Sequence, residues 1–333
     1  MTANDGADAR RPVNPYLLLT LTMVLWGCAF SSSKSMVAEV PHSVAALIRF
    51  GGAALALLAV LTVLGRGKPA TVAPGAARRA AAAGVLGVFA YNGFFFWGLS
   101  LAPSLDAGIL IPVMSPVLTS AYLLVRGRDR ASRQRLAGLG LGVCGAVVFF
   151  VGAGGGAGGG GTRLAGDALF LLSAVCWAAF TLAGPRVMAG IEPLRATTYA
   201  TCAGALLLGL LAVPDLPDVR WSTLPVGVWL NAVYLAVGAA AVANLFYYRA
   251  VAAVGPAAAS LMMFTVPVVN TACGTLLLGE AFGILQGAGA MVLLSGAVLA
   301  VISAARRRPA LGIDEGPRPR RVPMGRRHSR RRR

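Results

Sequence analysis

The chain has 333 residues, of which 57% are hydrophobic and 13% charged, with a formal net charge of +18. An average soluble domain carries about 25% charged residues, so this composition excludes one. The recurrent long apolar runs predict a polytopic membrane protein. Twelve of the thirty basic residues lie from Arg306 onward, which argues for contact with anionic lipids at a basic tail and against nucleic-acid binding.

The apolar runs are continuous rather than alternating, which predicts helices and not the strands of a barrel. After an N-terminal tail over 1–15, the first run begins at Tyr16 and is too long for the apolar core of a signal peptide. Ten helices are expected, near 16–37, 43–64, 79–100, 104–125, 134–152, 166–187, 195–213, 225–249, 256–278 and 282–304. The stretch GAGGGAGGGGT at 152–162 reads as a flexible linker, with 153–165 separating two groups of five helices. A polar loop over 214–225 carries Trp221 as an interfacial aromatic, and a basic tail follows over 305–333.

Assigning alternate loops to alternate sides places 26 of the 30 Lys and Arg residues on one side. Only Lys34, Arg49, Arg163 and Arg220 fall on the other. The positive-inside rule then puts both termini in the cytoplasm of a bacterial-type plasma membrane. The five cysteines sit in apolar runs without C-x-x-C spacing, and the two histidines are far apart, so neither a disulfide framework nor a metal site is expected.

Displacing the chain by 151 residues against itself aligns the helices one to one. Trp26 meets Trp177, Gly87 meets Gly238, Phe95 meets Phe246, Pro116 meets Pro267, Gly138 meets Gly289 and Gly145 meets Gly296. Five helices per half is an odd number, so equivalent positions face opposite sides. The expectation is an all-α membrane protein of ten transmembrane helices in two inverted five-helix repeats, 16–152 and 166–304, an architecture common among secondary transporters.

The segments WGCAFSSSK (26–34), IRF (48–50) and VGPAAASLMMFTVPVVNTACGTLLLGE (254–280) resemble the EamA family of the drug/metabolite transporter superfamily. The resemblance implies a ten-helix exporter of small metabolites, amino acids or drugs, without a cofactor. The first half departs from it in placing Asp129, inside an arginine run, where the second has Glu280.

Polar and aromatic groups within the helices are the candidate cavity lining: Trp26, Ser33, Tyr91, Asn92, Met114, Trp177, Thr181, Asn244, Tyr248, Met263 and Asn270. Pro112, Pro116 and Pro267 are candidate gating kinks, because proline removes a helical hydrogen bond, with static packing kinks as the alternative. Lys34 and Arg49 read either as snorkelling cations or as an electropositive mouth. Glu280 reads either as a proton-coupling carboxylate or as a helix-end charge serving the last helix. A membrane-embedded enzyme, a non-transporting structural membrane protein and an uncoupled facilitator are the competing functions. No H-E-x-x-H motif or phosphate-binding loop is present to favour an enzyme or an ATP-driven pump. The glycines of the fifth and tenth helices fit packing within a monomer or between the copies of a homodimer.

Overall fold

The computed structural model describes residues 14–64, 72–127, 132–154, 160–187, 189–254, 262–281 and 283–305. Among these residues the regular structure is entirely helical. The helices are α1 Pro15–Val37, α2 His42–Leu64, α3 Ala76–Leu101, α4 Ser104–Val125 and α5 Arg133–Gly154. They continue as α6 Gly160–Val187, α7 Pro193–Ala212, α8 over 226–254, α9 Thr265–Leu278 and α10 Ile284–Ala305. Six are long and apolar enough to cross a bilayer: α1, α2, α3, α4, α6 and α7 extended to Asp218. The apolar parts of α5, α8, α9 and α10 are shorter.

Local chemistry sets the ends. Asn14 caps α1 by accepting the Tyr16 N–H at 2.9 Å, and Pro15 takes the first helical position, where no donor is needed. The Ser43 hydroxyl in the first turn of α2 donates to the Asp215 carboxylate. Two helices carry an internal π segment, Val85–Ala90 in α3 and Tyr234–Val242 in α8. Each is followed by an asparagine that binds back to its own helix, Asn92 Nδ2 to the Val88 carbonyl at 2.8 Å and Asn244 Nδ2 to Ala240 at 2.6 Å. A π segment disturbs the regular carbonyl ladder, and these amides satisfy carbonyls within it.

The packing crosses between the two groups of five. α1 lies against α8 and α9, α2 against α7 and α8, α3 against α6 and α7, α4 against α6 and α9, and α5 against α10. The α5–α10 contact is the most extensive. A Cβ on Gly145 would stand 2.6 Å from the Leu293 Cα, and one on Gly289 would stand 2.7 Å from the Phe149 Cα. These glycines therefore let the two backbones touch within one chain. The main core gathers Phe95, Phe96, Leu99, Phe149 and Phe170 with aliphatic residues of α2, α4 and α7.

Two expectations change. α6 starts at Gly160, inside the stretch read as flexible linker, because Arg163 in its first turn is fixed on Asp106 of α4. α9 starts at Thr265, so Pro267 occupies its first turn, where the missing N–H breaks no bond, rather than the middle of a helix. Pro112 and Pro116 lie inside an unbroken α4. Residues 155–159 of the linker, the AAAS run at 257–260, Asp129, the tail from Arg306 and the side chain of Tyr248 fall outside the described residues.

Candidate functional site

The turn between α3 and α4 is where charged groups from distant helices converge. The last carbonyls of α3 and the first N–H groups of α4 have no partner within their helices. Lys34 of α1 supplies the cation for the former: its Nζ donates to the Leu99 carbonyl at 2.6 Å and to Ala102 at 2.9 Å. Glu280 supplies the anion for the latter. Its Oε1 accepts the Ser104 N–H at 2.7 Å, and its Oε2 accepts the Leu105 N–H and the Ser104 hydroxyl, each at 2.9 Å. Gly279, at φ 64°, ends α9 in the left-handed conformation and turns Glu280 back towards α4. Asn270 Nδ2 adds a bond to the Ser104 carbonyl at 2.9 Å, while its Oδ1 is buried without a partner.

One turn into α4, fully buried Asp106 meets Arg163 side-on, with Nε to Oδ2 at 2.7 Å and Nη2 to Oδ1 at 2.9 Å. Gln286 of α10, itself buried, donates to the same Oδ1 at 3.3 Å. Asp167 follows Arg163 by one turn on α6 and comes against Asp106. It is fully buried, and neither carboxylate oxygen accepts a hydrogen bond. Sequence reasoning missed this cluster. The available signal was the four-residue spacing of Arg163 and Asp167 at the start of a helix, with Asp106 in the first turn of an otherwise apolar run.

A second region surrounds Arg49 of α2. Its Nη1 donates to Ser33 at 3.1 Å, its Nε is buried without a partner, and no carboxylate among the described residues pairs with it. Instead the guanidinium lies 5.1 Å from the Phe50 ring centre, 5.8 Å from Phe95 and 5.9 Å from Phe96, at cation–π distance. Tyr91 stacks on Phe95 and leans on Trp177 at 5.3 Å. Thr181 bonds back to the Trp177 carbonyl. Met114 is buried in α4.

Between α1 and α8, Trp26 packs on Tyr247 at 5.1 Å and donates to the Ala239 carbonyl at 3.1 Å within the π segment of α8. Tyr234 donates to the Leu25 carbonyl at 2.5 Å, and Tyr247 to the Met263 sulfur at 4.0 Å. A cavity of about 210 Å³ opens between α1, α8 and α9, lined by Cys28, Ser31, Ser32, Ser35, Asn231 and Tyr234 with two leucines of α9. The described residues expected to line a cavity are not among those lining this one. Cys28 approaches Cys273 of α9 at 3.1 Å between sulfurs, a proximity that the cysteine spacing did not suggest.

Known proteins place this arrangement. The model of the EamA-like transporter family matches residues 14–151 and 164–302. The chain is 25% identical over 288 residues to the uncharacterized transporter YyaM of Bacillus subtilis, covering 86% of this chain and 93% of that protein. It is 28% identical over 269 residues to a protein named "Probable terminal-alkyne amino-acid exporter" from Streptantibioticus cattleyicolor, covering 79% and 84%. It is also 28% identical over 162 residues to the aromatic amino acid exporter YddG of Ancylobacter novellus, covering 48% and 54%. A solved crystal structure shares the fold with a TM-score of 0.59 at 23% identity, over 88% of this chain and 98% of that one. The chain belongs to the EamA-like transporter family and is a multi-pass membrane transporter, not an enzyme.

Proposed function

We propose that the chain exports small amphipathic metabolites, with amino acids as the leading class, by alternating access between two inverted halves, 16–152 and 166–304. The helix contacts support it. Exchanging the halves maps α1–α8 onto α6–α3 and α1–α9 onto α6–α4, and it leaves α2–α7, α4–α9 and α5–α10 in place. The π segments of α3 and α8 also correspond under the 151-residue offset. Such exchange is what a pseudo-two-fold rocking device requires. The Lys/Arg asymmetry of the sequence supports cytoplasmic termini, and in this reading the α3–α4 turn lies at the outer end.

One observation carries the substrate class: the half-buried guanidinium of Arg49, its Nε buried and unpaired, without a carboxylate partner among the described residues, on a wall of Phe, Tyr and Trp. A lone cation inside a membrane protein calls for an anion, and a substrate carboxylate supplies it while the aromatic wall takes an apolar side chain. Glu280 and Lys34 hold the α3–α4 turn in this reading, and Asn270 fastens α9 to it. The amino-acid names of two relatives agree with this class. An uncoupled facilitator is the alternative mechanism.

The test is counterflow of labelled phenylalanine, leucine and their carboxamides in proteoliposomes. Saturable exchange of the acids but not the amides is expected, with the preference abolished in Arg49→Gln. Equal exchange of acid and amide, unchanged by Arg49→Gln, would remove the carboxylate assignment. Absence of exchange across a wider metabolite and drug panel would remove the exporter reading.

A further inference from the structure

We propose that Asp106 and Asp167 form a carboxyl pair that binds one proton, and that this pair couples transport to the proton gradient. The coupling rests on the exporter reading above; the proton binding does not. Five charged groups meet at this end of the bundle from α1, α4, α6 and the end of α9: Lys34, Asp106, Arg163, Asp167 and Glu280. Gln286 of α10 adds an amide. Three carboxylates face two cations, and none of the hydrogen bonds these groups make reaches Asp167. Arg163 gives Nε and Nη2 to Asp106, Gln286 gives its amide to Asp106, Lys34 gives its ammonium to two carbonyls, and Glu280 holds the α4 N-terminus.

Asp167 is left fully buried beside another carboxylate with both oxygens unsatisfied. An ionised carboxylate in that position lacks both water and a donor, and repels Asp106. One proton resolves both faults. An O–H bond forms on Asp167 with a proton drawn from water, and that hydroxyl donates to Asp106. The cluster then sums to zero charge. Because the two carboxyls share the proton, it belongs to the pair.

The pair also has mechanical consequence. Asp106 lies on α4 and Asp167 on α6, helices that pack directly on each other. With the proton bound, α4, α6 and α10 are joined through Asp106. With the proton gone, repulsion and the hydration demand of Asp167 favour separation of α4 from α6 and opening of this end. Proton binding from the outer compartment therefore closes the outer end, and release on the inner-facing side allows it to open again. Glu280, the carboxylate singled out in the sequence, is not the coupling group in this scheme, since its oxygens are spent on the α4 N-terminus.

The experiment uses the full chain. Infrared difference spectra of the detergent-purified protein across the neutral pH range should show a protonated carboxyl band that disappears on alkalinisation in the wild type and is missing in Asp167→Asn. Thermal stability should fall as pH rises through the same titration in the wild type. It should stay flat through that interval in Asp167→Asn, whose amide replaces the protonated acid. In proteoliposomes a one-unit pH gradient should sustain up to about tenfold accumulation per coupled proton in the wild type, and none in the variant. A wild type without the band, or a variant that keeps it, would overturn the proton site. A band with gradient-insensitive transport would leave the proton site and overturn its coupling role. The wild-type spectra and stability curve decide the proton binding even if Asp167→Asn fails to fold or no cargo is transported.

Discussion

Glu280 closes the N-terminus of a helix 176 positions earlier in the chain, its Oε1 accepting the Ser104 N–H at 2.7 Å. The carboxylate sits where the partial positive charge of α4 is greatest, and Lys34 sits where the partial negative charge of α3 emerges. The turn at 102–103 is thus held by one charge of each sign from two other helices, α1 and the end of α9.

Replacing Glu280 with alanine should therefore act on stability. Removing a charged cap that accepts three hydrogen bonds is expected to cost about 2 kcal/mol, read as a lowered melting temperature in detergent. Glu280→Gln keeps the acceptor oxygen and should lose less. In both variants the pH gradient should still drive whatever transport survives; a gradient response abolished in Glu280→Gln with stability unchanged would return Glu280 to a coupling role.

Arg163 and Asp106 make a different prediction. Truncating Arg163 to methionine removes the cation from Asp106 and leaves its buried charge with only the Gln286 amide and the Asp167 hydroxyl, so a loss of about 3 kcal/mol or more is expected. Because Arg163 is partly exposed, solvent should soften this towards the lower figure. Adding Asp106→Asn should recover much of the loss, since the pair is then replaced by a neutral group. Additive losses in a double-mutant cycle would show that the two side chains are not energetically linked.

Most of the fold was legible because hydropathy in a membrane chain is a strong, local signal: α1, α2 and α4 begin and end within a residue or so of expectation. What failed was the part set by distant contacts. The glycine-rich start of α6 has every local mark of a linker, yet it is helical, with Arg163 of its first turn paired to Asp106, 57 positions away. The described start of α9 falls just before Pro267, and the span expected there ran through it. For the site, polar residues inside helices were the right class to search, but Asn92 and Asn244 turn out to satisfy their own π segments. Asp106 and Asp167 were passed over because an acid near a helix start reads as a favourable, solvated end charge. Their burial depends on α4 meeting α6, and Gln286 reaches Asp106 from 180 positions away.

The glycine seam between α5 and α10 should be intolerant of side chains. A Cβ at Gly145 would press on the Leu293 backbone and one at Gly296 on the carbonyl of Gly138, rigid groups that cannot rotate aside. Gly145→Val is expected to cost more than about 2 kcal/mol through overpacking, seen as loss of the folded peak on size exclusion or a depressed melting temperature. Gly140→Val, at a position of the same helix with no atom within 4 Å, is the matched control and should be near neutral. Equal damage from both would assign the effect to helix propensity and not to the seam.

Cys28 and Cys273 give a reporter of the packing of α1 on α9. The two sulfurs stand 3.1 Å apart, close enough that mild oxidation should join them with little backbone movement. Removing two electrons and two protons from the thiols forms one disulfide, to be counted as the loss of two titratable thiols per chain and as a cross-linked peptide by mass spectrometry. The bond should be absent in Cys28→Ser, while Cys144, exposed on α5, should remain free. If α1 and α9 move apart during transport, as alternating access demands, the oxidised protein should lose counterflow and regain it on reduction. Full counterflow with the disulfide formed would mean that these two helices travel as one body, and the moving seam would have to lie elsewhere, with α4 and α6 the next pair to cross-link.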